Sequence, residues 1–357
     1  MELSAYLLET LREDGELILY RGQPQRRMDG VLPPILVVAP VGDHPAPGSL
    51  RRLEHEYALR AELDPGWAVR PLALVQHQGR PVLVLADPGG EPLDRFLGQP
   101  MEIGRFLRLA IGIALALSQL HGRGLIHKDI KPAHVVVNSA TGQVWLLGFG
   151  IASPLPRERQ APAPPERIAG TLAYMAPEQT GRMNRSIDSR SDLYALGVTL
   201  YQLLTGVLPL TAADPMEWVH CHIARKPVPP GERLASVPAP ASAIIMKLLA
   251  KTPEDRYQTA GGAERDLRRC LAEWEARRRI DDFPLGLQDT PNQLLIPEKL
   301  YGRDREIASP GAGKALHRKP MIDAQAVIRP LPDRLGKQPD ADALFGKPLV
   351  VLPGRRR

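Results

Sequence analysis

The sequence predicts a mixed α+β chain of two lobes, a small strand-rich one followed by a larger helical one. Three observations carry that reading. Residues 1 to 88 hold short apolar, β-branched runs bounded by turn formers, "GELILY", "PILVVA" and "RPVLVLA", which is the pattern of strands. A glycine and proline break, "DPGGEP" at Asp87 to Pro92, ends that pattern. Beyond it apolar residues recur at helical spacing to about residue 279, after which the periodicity decays. The expected divisions are 1–88 for the small lobe, 89–279 for the large lobe and 280–357 for a linker and irregular tail.

Within the small lobe, "LRRLEHEYALRAEL" spaces Leu50, Leu53, Tyr57 and Leu63 as an amphipathic helix does. In the large lobe, residues 104 to 120 are apolar almost all round and predict a buried helix, and "VVVNSATGQVWLL" predicts a hairpin turning near Gly142. The proline-rich stretch Ser153 to Ala169 suits neither a helix nor a central strand. "SDLYALGVTLYQLLTG" places Leu193, Leu196, Leu200, Leu203 and Leu204 on one face, with Ser191 as N-cap and Gly206 as stop. "ASAIIMKLLAK" and "AERDLRRCLAEWEARRR" predict two more helices.

Composition excludes several classes. With 357 residues, 43% of them hydrophobic, the chain has enough apolar material for a sizeable core. Two cysteines, Cys221 and Cys270, supply no disulfide framework, and the acidic opening "MELSAYLLETLREDGE" lacks the basic flank of a secretory signal, so a cytoplasmic location is expected. The apolar run Leu109 to Leu120 falls short of the roughly 20 residues that cross a bilayer, so no membrane span is expected. The net charge of +6 is spread along the chain and aromatics make up only 5%, so no nucleic-acid partner is expected.

Five motifs then occur in a fixed order. "HKDIKPAH" is similar to the protein-kinase catalytic loop H-R-D-x-K-P-x-N, "GFGIAS" stands where D-F-G belongs, and "GTLAYMAPEQ" resembles an activation-segment end containing A-P-E. "SDLYALG" and "EDRYQTA" resemble the aspartate-bearing helix start and the late arginine of the helical lobe. The resemblance covers roughly residues 10 to 278. The wording "GTLAYMAPEQTGRMNRSIDSRSDLYALG" resembles the serine/threonine-kinase-like N-terminal module of large bacterial signalling proteins that join such a domain to an ATPase module and a sensor histidine kinase. It implies a bilobal protein-kinase-like fold and a signalling role with a protein partner.

Phosphoryl transfer is catalysed almost wholly by positioning and charge neutralisation, so its parts can be checked one by one. The resemblance places Asp129 as the carboxylate that orients the substrate hydroxyl, Lys131 beside the transferring phosphate, and Thr171 with them as the serine/threonine-type residue. The two magnesium-ligand positions hold His134 and Gly148, neither of which offers the hard oxygen donors that magnesium prefers. No lysine precedes Lys128, so "PILVVAP" carries no phosphate-holding ammonium. Glu56, the match for that lysine's glutamate partner, must find an arginine or remain solvated. Gly15 and Gly22 are too far apart for a G-x-G-x-x-G turn. Losing metal and lysine removes on the order of three to six decades of rate. The scaffold residues Glu178, Asp192 and Arg256 are retained: the first and last as an ion pair, Asp192 as holder of the catalytic-loop backbone.

The reading is a catalytically degenerate kinase-like module that regulates or docks. The alternatives are an active atypical serine/threonine kinase, with Arg21 or Arg26 as substitute cation, and a module that binds ATP without transfer. No cofactor is assigned: ATP is possible and magnesium is not expected. "VHCHIA" does not make a zinc site, because consecutive helical residues diverge. In the tail, Ala308 and Ala315 stand where a P-loop needs glycine and Ser or Thr.

Overall fold

The computed structural model describes residues 2–14, 16–25, 32–42, 45–155, 171–183 and 185–290. The expectations for Arg26, for residues 156–170 of the proline-rich stretch and for the P-loop-like tail lie outside these residues.

The small lobe is an antiparallel sheet of five strands in the order β1-β2-β3-β5-β4, with β1 at Tyr6–Glu13, β2 at Leu17–Pro24, β3 at Ile35–Pro40, β4 at Pro71–His77 and β5 at Arg80–Ala86. Alternation assigns its two faces. Leu36 and Val38 of β3 join Leu19 and Leu83 in a buried cluster with Leu53 of helix α1, Pro47–Ala58. Ile35 and Val37 point the other way, into a second cluster with Leu3 and Tyr6. On α1, Ser49, Leu53 and Glu56 are the buried residues, and their spacing of four and three puts a carboxylate on the core-facing side.

The connector Asp87–Glu91 leads into β6, Glu91–Pro92, which pairs with β8, Val135–Val137, and through it with β9, Val144–Leu146. β8 and β9 form the expected hairpin, with Gly142 at φ +73°. The short strand β7, Leu125–Ile126, pairs with β10, Ser153–Pro154. Helix α2, Ile103–Gly122, is twenty residues long, longer than the apolar run suggests. By length and composition it could cross a membrane, but 67% of its most apolar eighteen-residue stretch is buried inside the lobe. It lies against α7, Ala260–Arg277, and α3, Ser189–Thr205.

Two expectations about α3 need correction. It is buried on every side, because α2, α6 (Ala239–Leu248) and α5 (Pro230–Arg233) surround it. Its N-cap is Asp188, whose carboxylate accepts from the Arg190 N–H at 2.8 Å, while Ser191 lies one turn in and donates its hydroxyl to Glu178. Gly206 ends the helix in the left-handed region, as expected. α4, Pro215–Ala224, carries "VHCHIA"; there His222 is buried between the Tyr194 hydroxyl and the Leu172 carbonyl. Residues 281–290 pack back on the lobe, since the Asp289 carboxylate accepts from the N–H groups of Gln258 and Thr259 ahead of α7.

Gly90 is the tightest point of the connector. It has φ +92°, and an added Cβ would lie 2.4 Å from the Val137 carbonyl oxygen. Gly98 shares the conformation, at φ +94°, but faces open space. Gly98→Ala is expected to cost about 1–3 kcal/mol from backbone strain alone. Gly90→Ala is expected to cost clearly more, read as a lower urea midpoint at unchanged slope; equal costs would contradict the close approach.

Candidate functional site

A cleft of about 460 Å³ opens between the lobes, walled by the β1–β2 turn, α1, the loop after β7 and the loop after β9. Asp192 sets the loop after β7: its buried carboxylate accepts from the N–H groups of His127 and Lys128 at 2.8 Å each and pairs with His121 at 2.9 Å. Lys128 is held there at φ +69°. Glu178 and Arg256 form a buried bidentate pair with bonds of 2.6 and 2.9 Å, and Arg256 also donates to three backbone carbonyls, those of Arg190, Ala250 and Lys251.

Asp129, Lys131 and Thr171 come together as the motifs suggest. The Thr171 N–H donates to Asp129 Oδ1 at 2.9 Å, Lys131 Nζ lies 3.2 Å from Oδ2, and Nζ donates to the Thr171 hydroxyl at 2.6 Å. Burial opposes ionisation of Asp129, but the adjacent Lys131 ammonium and the Thr171 N–H outweigh it, so its pKa falls well below the usual carboxylate range.

His134 and Gly148 meet each other. The His134 Nδ1–H donates to the Asp129 carbonyl at 2.8 Å, which turns the rest of the ring toward the loop after β9. A Cβ built on Gly148 would lie 2.7 Å from His134 Cδ2 and Nε2, and Gly148 itself has φ +81°. The imidazole therefore fills the volume into which a carboxylate at 148 would project. Burial and the nearby Lys131 keep that ring neutral. Among the described residues no group of three or more His, Cys, Asp or Glu side chains could hold a metal ion. Neither the donor set nor the space fits the magnesium that a kinase fold implies.

The phosphate end is equally self-contained. Around the β1–β2 turn the N–H groups of Glu16 and Leu17 point at Asp14 Oδ1, at 3.4 and 3.0 Å, so donors that could approach an anion serve the protein's own carboxylate. A register shift between Thr10 and Arg12 brings Arg12 to the cleft. Five carboxylates (Asp14, Glu16, Glu56, Asp94, Asp129) and three cations (Arg12, Arg52, Lys131) line the cleft. Each cation is within 4.0 Å of a carboxylate: Arg12 of Asp14 and Asp94, Arg52 of Glu16, Lys131 of Asp129.

Two sequence expectations fail here. Arg21 does not reach toward phosphates; it turns to the connector and pairs with Asp87 and Glu91. Glu56 finds no arginine among the described residues and is not solvated. It is buried, accepts from the Gly148 N–H at 3.3 Å and from the Phe149 N–H, and burial raises its pKa to about 7. Beside it the His55 Nε2–H donates to the Ala152 carbonyl at 2.7 Å, so α1 is pinned to the loop after β9 by two adjacent residues. The Asp14 turn and the Arg21 contacts are not foreseen by the motifs. "REDGEL" carries a legible signal for the first, since an aspartate in the turn between two strands, three residues before the second, is an Asx-turn former; nothing local marks the Arg21 contacts.

A five-stranded lobe over a helical lobe, with an Asp192-braced catalytic loop and a Glu178–Arg256 pair behind it, defines a protein of the bilobal kinase class. The chain belongs to the protein kinase domain family, whose model matches residues 51–265. It is 38% identical over 168 residues to the serine/threonine-protein kinase PknB of Mycobacterium tuberculosis, covering 47% of this chain and 26% of that protein. It is 37% identical over 197 residues to the serine/threonine-protein kinase Pkn1 of Myxococcus xanthus, covering 54% of this chain and 28% of that one. A probable serine/threonine-protein kinase of Corynebacterium efficiens is 34% identical over 205 residues, covering 56% and 30%. The chain thus spans under a third of the length of these relatives.

Two outcomes follow from this geometry. Gly148→Asp is expected to destabilise the wild type, and to do so less in a His134→Asn background, with a coupling of about 0.5–3 kcal/mol in a double-mutant cycle; additive losses would show that the two side chains do not compete for one space. The second concerns pH. Glu56 binds its proton more tightly folded than unfolded, between 4.5 and about 7. The folded state therefore holds the extra proton in that window, and stability is lost as pH rises through it. Glu56→Gln removes this loss, so relative to wild type it is expected to gain about 1–3 kcal/mol between pH 5 and pH 8 in urea titrations. Taking the difference against wild type cancels His134, which titrates in the opposite sense.

Proposed function

We propose that this serine/threonine-kinase-like domain is catalytically degenerate and acts as a regulatory or docking module for a protein partner in signalling, within the cytoplasm. The observation that carries the reading is the His134 ring seated where a carboxylate at 148 would project. The paired cations and the Asp14-capped turn support it, because a triphosphate entering this cleft would meet more negative than positive charge. Metal polarisation is worth several kcal/mol of transition-state stabilisation, and about 1.4 kcal/mol is one decade of rate. Asp129 cannot offset its loss, since a base acts only on a nucleophile facing a positioned electrophile. The retained framework supports the docking role: Glu178–Arg256 and Asp192 brace the helical lobe and the stretch around Glu178 as a surface.

A second reading, an ATP-dependent serine/threonine kinase of atypical geometry, draws on one observation. Asp129 is ionised and braced by Lys131 and Thr171, the arrangement a phosphoryl acceptor would meet.

Thermal unfolding with ATP, with and without magnesium, separates the two. A ligand at a hundred times its dissociation constant stabilises the folded state by about 2.7 kcal/mol. The degenerate module is expected to show no magnesium-dependent shift and no incorporation of radiolabelled phosphate into itself or a generic protein substrate. A magnesium-dependent shift with incorporation that disappears in Asp129→Asn would establish the second reading instead.

A further inference from the structure

The connector end of the cleft is closed by a side chain that no part of the kinase chemistry requires. Arg21 projects from β2, its side chain 14% exposed, and makes three contacts at once. Its Nε donates to Asp87 Oδ2 at 2.8 Å, one terminal nitrogen to Glu91 Oε1 at 2.8 Å, and the other to the Gly90 carbonyl. Those acceptors are themselves held. The Asp87 side chain is 3% exposed and takes the Gly89 N–H on its other oxygen, while the second oxygen of Glu91 takes Arg95. Gly90 lies against the Val137 backbone of β8. One guanidinium therefore joins the sheet of the small lobe to the connector and to the first residue of β6 in the large lobe.

The space behind it is filled. Leu19 and Leu36 from the roof, Leu85 from the connector strand and Val136 from the floor belong to one buried cluster, and none is more than 3% exposed. The open cleft, by contrast, is lined from Arg12 to Tyr174 by residues of the phosphate end and by none from 85 to 91. A planar ligand entering between the lobes at the connector would have to displace Arg21 from Asp87 and the Gly90 carbonyl, and open the lobes enough to part Leu19 and Leu36 from Val136.

We propose that Arg21 decides what the cleft accepts: it substitutes for a nucleotide base, bolting the lobes in the closed arrangement and excluding a purine from the connector. The guanidinium suits this role because its planar fork spans separate acceptors, which a lysine ammonium does not match. The inference deepens the functional reading above by extending it from the metal end of the cleft to the base end.

The test uses adenosine, which carries no phosphate and needs no metal, with the full chain in hydrogen-exchange mass spectrometry. Wild type is expected to show a protected connector, residues 86–92, that adenosine at millimolar concentration leaves unchanged. Arg21→Ala is expected to raise connector and β2 exchange by about tenfold or more, as local opening becomes easier, and to allow adenosine to restore part of the protection. Arg21→Lys should fall between the two. If Arg21→Ala does not fold, Asp87→Asn, which keeps the shape and removes one charge, is read on the same peptides with the same expected direction. Unchanged exchange in the folded variant, or protection of the wild-type connector by adenosine, would overturn the proposal. Phosphate transfer by the wild type would defeat the functional reading through the radiolabel assay, whereas the response to Arg21→Ala is read independently of it.

Discussion

One volume beside the catalytic loop has a single occupant, and the character of the cleft follows from which one it is. At position 148 there is no side chain, and the His134 imidazole stands within 2.7 Å of where a Cβ would be. Close-packed interiors do not leave such a volume shared. Because the His134 Nδ1–H is spent on the Asp129 carbonyl, the ring is oriented and not a loose plug. The ring is also neutral, because burial and Lys131 oppose its charged form, so the space beside Gly148 holds an uncharged group.

The same logic of internal satisfaction runs through the cleft and stops at its edges. Asp14 caps the turn above, Glu16 holds Arg52, Asp129 holds Lys131, and Glu56 takes the N–H groups of the loop after β9. Behind the cleft the pattern differs. Removing Glu178 from the buried Arg256 would strand a charge that also organises three backbone carbonyls, at a cost of about 3–5 kcal/mol. Asp192 likewise holds two N–H groups of the loop that carries Asp129. The groups that brace the fold behind the cleft are distinct from those that line it, and in both places the charges are paired within the protein.

The fold was legible because its signals are local or ordered. Strand runs, the glycine-rich connector, the hairpin at Gly142 and the stop at Gly206 each rest on a backbone preference that a few residues display. The site was legible where a motif named it: Asp129, Lys131 and Thr171 lie together, as do Glu178 and Arg256, and Asp192 holds its loop. What failed was long-range. Ser191 resembles an N-cap, but Glu178, thirteen residues earlier, claims its hydroxyl and Asp188 caps the helix. The buried face of α1 does show in the spacing of Ser49, Leu53 and Glu56, yet a glutamate on such a face reads as a surface charge until the loop that solvates it is known. Arg21 pairs across sixty-six residues with Asp87, a partnership with no sequence periodicity behind it.

The central claim is that the cleft's cations are taken up by its own carboxylates and that His134 fills the space beside Gly148, leaving no place for a metal-bound triphosphate. The most direct measurement is a crystal structure grown with magnesium and a non-hydrolysable ATP analogue. The account predicts His134 still seated over Gly148, Lys131 on Asp129, and no divalent ion between them. An ordered triphosphate bridged by a cation to Asp129, with the His134 ring displaced from Gly148, would contradict it.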